Sequence, residues 1–248
     1  VPTDAAGLIE EAWRLVTCYP LGYPAQRRGS LMSDFTELLD GYRRFRSGPY
    51  NEQRQRFDAL ANVGQSPKVM IIACSDSRVD PTRVFDTEPG QAFVVRNIAN
   101  LVPPYRPDSA QHGSSAAIEF AVTQLQVEHI VVLGHAHCGG IAASLDGRFD
   151  DKGEGHGAFI GRWMAIIEPV RDQVRAAQAI SPDMDAEEAL ELAAIRLSLA
   201  NLRSFPFVAE REAAGSLKLQ GTHFSIGAGL LRVLDPETDR FEAVALEW

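Results

Sequence analysis

Cysteine is scarce in this chain, with three residues among 248, at positions 18, 74 and 138. So small and odd a number argues against a disulfide framework and suits a reducing compartment. Basic residues are outnumbered, 24 Lys and Arg against 33 Asp and Glu, giving a net charge of −9. Nucleic acid is therefore not an expected partner, because a phosphate backbone needs a basic face. The densest basic run, Arg43-Arg44-Phe45-Arg46, sits in a helical pattern among acids and reads as a solvated face or a subunit contact. No apolar stretch approaches the roughly 20 residues of a membrane span, so no membrane partner is expected either. The opening Val1-Pro2-Thr3-Asp4 resembles neither a signal peptide nor a transit peptide. Cytoplasm is the expected location, with a removed leader left open because the first residue is not Met. Internal repeats and low-complexity segments are missing too.

What is present is ordinary globular composition, 45% hydrophobic and 23% charged. A chain this long buries a sizeable core without a metal staple, so a metal here would serve chemistry. The pattern predicts one domain, 1–248, with a helical arm over 1–63. In the arm, Leu8, Ile9, Ala12, Leu15 and Val16 keep helical spacing. Ser33-Asp34 is placed to cap a second helix bearing Phe35, Leu38, Leu39, Tyr42 and Phe45, stopped by Gly48-Pro49. A third helix is expected from about Asn51 to Val63. An arm with so little apolar surface suits wrapping around a second subunit.

The middle of the chain alternates. Val69–Ala73, Ala92–Val95 and His129–Leu133 are short apolar runs, the mark of strands covered on both faces. Between the last two, Ser114–Gln126 has helical spacing. Such alternation indicates an α/β fold with a mostly parallel central sheet flanked by helices. A helix is expected from Cys138 toward Leu145, then a polar loop over Asp146–Gly157, then helices over about Phe159–Ala177 and Asp185–Phe205. The tail from Leu217 to Leu234 is β-like, and Ala243–Leu246 is a candidate last strand.

Cys74 directly follows the first apolar run, and His135 and Cys138 follow the third. Ligands of open parallel sheets bind beyond the carboxyl ends of the strands, so these residues can converge at one sheet edge. Two thiolates and one imidazole form a set that suits zinc and leaves a fourth tetrahedral position for water, whose pKa the metal lowers. Alone, a Cys after a strand is a small hydrophobe. Cys18, isolated in the arm, keeps that bland role. Asp76 and Arg78 follow Cys74 closely; a carboxylate beside an Arg stays ionised and can orient a water on the metal, although such a pair elsewhere only braces a turn. Gly139-Gly140 opens the next helix, where free N–H groups suit an anion, or simply makes a tight turn.

At these residues the chain resembles the β-class carbonic anhydrases. The matching text runs Gln65–Lys68, Ala73–Val79 (Ala-Cys-Ser-Asp-Ser-Arg-Val), Glu88–Gly90, Ala92–Asn97, Ala99–Tyr105, Gly134-His135 and Cys138–Gly140. The resemblance implies one Zn2+ per subunit on Cys74, His135 and Cys138, an Asp76–Arg78 dyad, and reversible hydration of CO2 to bicarbonate by a zinc-bound hydroxide. It implies a substrate pocket shared between two subunits, with Gln65 donating to substrate, Gly139 at the helix opening, and Phe93, Ile98 and Phe120 as apolar wall. Phe120 stands where plant-type members carry Tyr, so any hydroxyl role there is lost. A second subclass, in which Asp displaces water from zinc, has Trp and Gly where this chain has Ile71 and Ala73; the open, plant-type subclass is therefore expected. His112, His137 and His156 are possible proton carriers. Self-association as a dimer or larger is implied. Hydrolysis of COS or CS2 on the same scaffold is the alternative activity, and a zinc-storing or bicarbonate-sensing protein with a dead site is the non-enzymatic one.

Overall fold

A computed structural model describes residues 35–108, 112–150 and 157–246. The expected helix near Leu8–Val16, with Ser33-Asp34, Cys18 and His156, lies outside them. The chain divides into two compact units, one ending at Arg54 and the other starting at Gln55.

Within the first unit, helix α1 spans Phe35–Ser47, with Glu37 in its first turn and Arg44 and Arg46 in its last, complementing the helix dipole. None of its residues is buried. Phe35, Leu38, Leu39, Tyr42 and Phe45 are 38 to 69% exposed. Pro49 starts the short α2, Pro49–Glu52. The expected continuous helix from Asn51 is broken at Gln53, which leaves helical geometry (φ −103°, ψ 18°) while its N–H bonds back to Pro49.

The second unit holds α3 (Arg54–Val63) from its second residue on, then β1 (Val69–Cys74), α4 (Pro81–Val84), β2 (Ala92–Asn97), α5 (Gly113–Glu119), β3 (His129–His135), α6 (Gly139–Leu145), α7 (Ala158–Met164), α8 (Glu168–Ile180), α9 (Ala186–Arg203), α10 (Pro206–Ala213), β4 (Lys218–Ser225), β5 (Leu230–Asp235) and β6 (Arg240–Ala243). One six-stranded sheet has the order β2-β1-β3-β4-β5-β6. The pairings β2–β1, β1–β3 and β3–β4 are parallel, and β4–β5 and β5–β6 antiparallel. The expected α/β sheet with a β-like tail is therefore what forms.

Strand periodicity sorts the core. Met70 and Ile72 pack on one face with Ile130, Val132, Ile195 and Phe205. Ile71 and Ala73 point to the other, with Leu133 and Val79. Gly134 lets α9 approach, since a Cβ there would lie 2.6 Å from Ile195 Cδ1.

Three further expectations are corrected. The helix foreseen over Phe159–Ala177 is two, α7 and α8, joined by a 3₁₀ turn at Ala165–Ile167. Pro169 in the first turn of α8 has no N–H to continue a helix from the preceding turn. The candidate strand Ala243–Leu246 is shifted: β6 ends at Ala243. Its register is set from the turn, where the Asp235 side chain accepts from Glu237 N and Asp235 faces Arg240. Residues 120–124 form a π turn after α5 rather than more α-helix.

Candidate metal centre

Cys74 is the last residue of β1 and His135 the last of β3, the strand beside it. His137, at φ 57°, turns the chain back. Cys138 then caps α6 in extended conformation (φ −72°, ψ 113°). All three side chains are buried, and their donor atoms lie within 4.8 Å of one another. The sulfurs are 3.9 Å apart, too far for a bond between them. Two thiolates at tetrahedral zinc stand about 3.8 Å apart, from Zn–S lengths of about 2.3 Å. His135 Nδ1 lies 3.0 Å from the Ala136 carbonyl, which can only accept, so the proton is on Nδ1. The lone pair is then on Nε2, a buried atom with no hydrogen-bond partner. An unpaired buried nitrogen facing two sulfurs at this spacing fits zinc.

The two sulfurs are in contact and shift each other's acidity in opposite directions. Cys74 is held down to about 4, chiefly by the hydrogen bond from Cys138 and against the opposing effect of burial. Cys138 is pushed up by that same contact and by burial. A divalent cation between them is what allows both to ionise.

Asp76 Oδ2 is 3.9 Å from His135 Nε2. Arg78 grips both carboxylate oxygens, Nε to Oδ1 at 3.0 Å and Nη2 to Oδ2 at 2.7 Å. The same Nη2 donates to the His137 carbonyl at 2.7 Å, tying the dyad to the second ligand loop. The Arg78 hydrogen bond holds the Asp76 carboxyl at about 2, outweighing the effect of burial.

Other expected pocket residues divide in two. Ile98 stands at the metal edge: a Cβ on Gly140 would lie 3.0 Å from Ile98 Cγ2. A cleft of ≈530 Å³ opens there, lined by Ser75, Asn97, Ile98, Ser114 and Trp163 among others. Gly139 begins α6, and a Cβ there would meet open space. Phe93, by contrast, pairs with Met70, four positions before Cys74, which places it about 13 Å down the sheet at about 3.3 Å per residue. Phe120 lies beside Phe93, with ring centroids 5.9 Å apart and the planes tilted by 34°. Gln65 is exposed in the segment leading into β1. Of the three candidate proton carriers, His137 lies 3.7 Å from Glu187 and His112 bonds Asp108 at 2.8 Å.

Residue-by-residue reading of the sequence missed three supports. Arg96 donates to the carbonyls of Cys74, Asp76 and Val79 at 2.7 to 2.9 Å, clamping the loop that carries the dyad. A charged residue directly after the apolar run of β2, still within the strand, was the available signal. Trp163 donates to the Ile98 carbonyl at 2.8 Å. Glu191 accepts from Cys138 N at 3.1 Å.

Residues 69–231 match the family described as carbonic anhydrase. Beta carbonic anhydrase 3 of Arabidopsis thaliana is 35% identical over 213 residues, covering 84% of this chain and 80% of that protein. The solved β-carbonic anhydrase CcaA is 32% identical with a TM-score of 0.77, covering 86% of this chain and 92% of that one. A tetrameric β-carbonic anhydrase of Sordaria macrospora is 28% identical with a TM-score of 0.67, covering 85% and 98%. The chain belongs to the β-class carbonic anhydrases.

Proposed function

We propose that this chain interconverts CO2 and bicarbonate at Cys74, His135 and Cys138, in the open arrangement that leaves a coordination position to solvent. The observation that carries the open arrangement is the grip of Arg78 on both oxygens of Asp76. Cys74, His135 and Cys138 would hold zinc, which when bound would supply a water acidified toward neutral pH. Asp76, kept ionised by Arg78, would accept a hydrogen bond from such a water and orient it. Ile98 offers an apolar surface suited to an uncharged, linear gas, and the Arg96 clamp fixes the loop on which Asp76 rides.

The far placement of Phe93 and Phe120 supports a pocket completed by a second copy of the chain, whose Gln65, Phe93 and Phe120 would close over the metal edge. The exposed stripe of α1 agrees with such association, and the Sordaria relative is tetrameric. Free thiols at Cys74 and Cys138 suit a reducing cytoplasm.

The test is zinc content with CO2 hydration measured by stopped flow across pH, beside a COS hydrolysis assay and light scattering on the same preparation. One zinc per chain, hydration rising toward alkaline pH and an assembly of at least two copies are expected. Zinc-loaded protein without hydration, or with COS turnover alone, overturns the reading.

A further inference from the structure

Glu191, on α9, is 4% exposed, and His223, on β4, is 1% exposed. Burying a carboxylate is costly unless its oxygens are satisfied. Here Oε1 accepts from Cys138 N at 3.1 Å and Oε2 lies 2.8 Å from His223 Nε2. The other ring nitrogen, Nδ1, lies 3.0 Å from Arg232 Nη2. A guanidinium has only hydrogens to give, so Nδ1 must accept. That puts the proton on Nε2, aimed at Glu191. Arg232 is held in turn by Glu188. A directed chain thus runs from the surface through Arg232, His223 and Glu191 to the backbone of a metal ligand.

We propose that Glu191 is a positioning residue of the metal centre, locked in place through His223 and Arg232, and that it fixes Cys138 for zinc. This rests on the zinc reading given above. Cys138 needs such a hold because the turn before it passes through left-handed His137 and its side chain makes no cap of its own. The buried negative charge also favours a cation between the two sulfurs.

The polarity of the chain supplies the test. The amide of Glu191→Gln keeps the shape but must either turn its NH2 toward Cys138 N–H, losing that bond, or toward His223 Nε2. The second choice moves the imidazole proton to Nδ1, against Arg232. Removing the guanidinium with Arg232→Met relieves that conflict. Zinc is withdrawn from the holoenzyme with a graded chelator, thermal unfolding is followed on the same samples, and the thiolate-to-metal band is recorded after cobalt exchange. Glu191→Gln is expected to weaken zinc binding about 10–100-fold and to shift the cobalt band. Arg232→Met alone weakens it less, and the double variant recovers part of the loss. Wild-type zinc affinity in Glu191→Gln, with only a lowered melting temperature, makes Glu191 a plain brace of α9 and overturns the proposal. Should Glu191→Gln fail to fold, Arg232→Met decides, and unchanged affinity there overturns it equally. A wild-type chain that takes up no zinc sinks the zinc reading itself, a result distinct from either.

Discussion

The two halves of the sheet are built differently. In the parallel half, β1 and β3 are buried at all but three of their thirteen positions and end on the metal ligands. In the antiparallel half, every residue of β5 is half-buried and β6 is mostly exposed. Strands covered on both faces leave their carboxyl ends as the place where polar groups can gather, and there those groups are cross-braced by Arg78, Arg96 and Glu191. The half-buried β5 contributes Arg232, which braces the metal edge from outside through His223, and holds no metal ligand itself. Chemistry has settled where the surrounding packing is most rigid.

That contrast can be broken by substitution. The largest effect is expected from Cys138→Ala, which removes one of three ligands: zinc by atomic emission and CO2 hydration should both fall to background, and full activity in that variant contradicts the scheme. In the core of the parallel half, Ile72→Ala should cost about 2–5 kcal/mol in urea unfolding. The matched change Leu231→Ala in β5 should cost about 1–2 kcal/mol; equal costs would erase the distinction between the halves. Asp76→Asn keeps the shape of the dyad and should lower kcat/KM about 10–100-fold with zinc retained. Asp76 also gives a pH signature. Its folded carboxyl sits near 2, below its unfolded value of about 3.9, so its stabilisation is present above pH 4 and is lost as pH falls toward 2. Asp76→Asn should flatten the stability-against-pH curve in that window and nowhere else. The smallest effect belongs to the contact of α9 with the antiparallel rim: Arg196 of α9, paired with Asp239 at 3.0 Å and lying over the Phe241 ring, should cost only about 0.2–1 kcal/mol on Arg196→Ala, by chemical unfolding.

The same contrast explains what was legible. β1 and β3 announce themselves as apolar runs because both faces are covered, and their ends then locate Cys74, His135 and Cys138; β2 reads as such a run although it is only half-buried in a single chain. Asp185 caps α9 as a local signal should, accepting from Glu188 N. β6 was misplaced because apolar content marked Ala243–Leu246, whereas turn geometry at Asp235 set the register. The short α10 went unread, although Phe205-Pro206 carries a proline start. The network of Glu191, His223 and Arg232 joins α9, β4 and β5, and no local pattern connects such positions. Phe93 and Phe120, expected with Ile98 as one apolar wall, lie beside each other down the sheet, and a residue's place relative to a second copy of the chain is not encoded in one strand's periodicity.

The strand order has a kinetic consequence. Cys74 and Cys138 are 64 residues apart in sequence and meet only once β1 has paired in parallel with β3. Parallel pairing over such a separation is slow, because the intervening loop must close before contacts repay it. Only His135 and Cys138 are near neighbours in sequence beforehand, so an ion held by that pair still waits for Cys74 to complete its site. Zinc uptake during refolding should therefore lag behind helix formation and mark the moment the central strands have come into register.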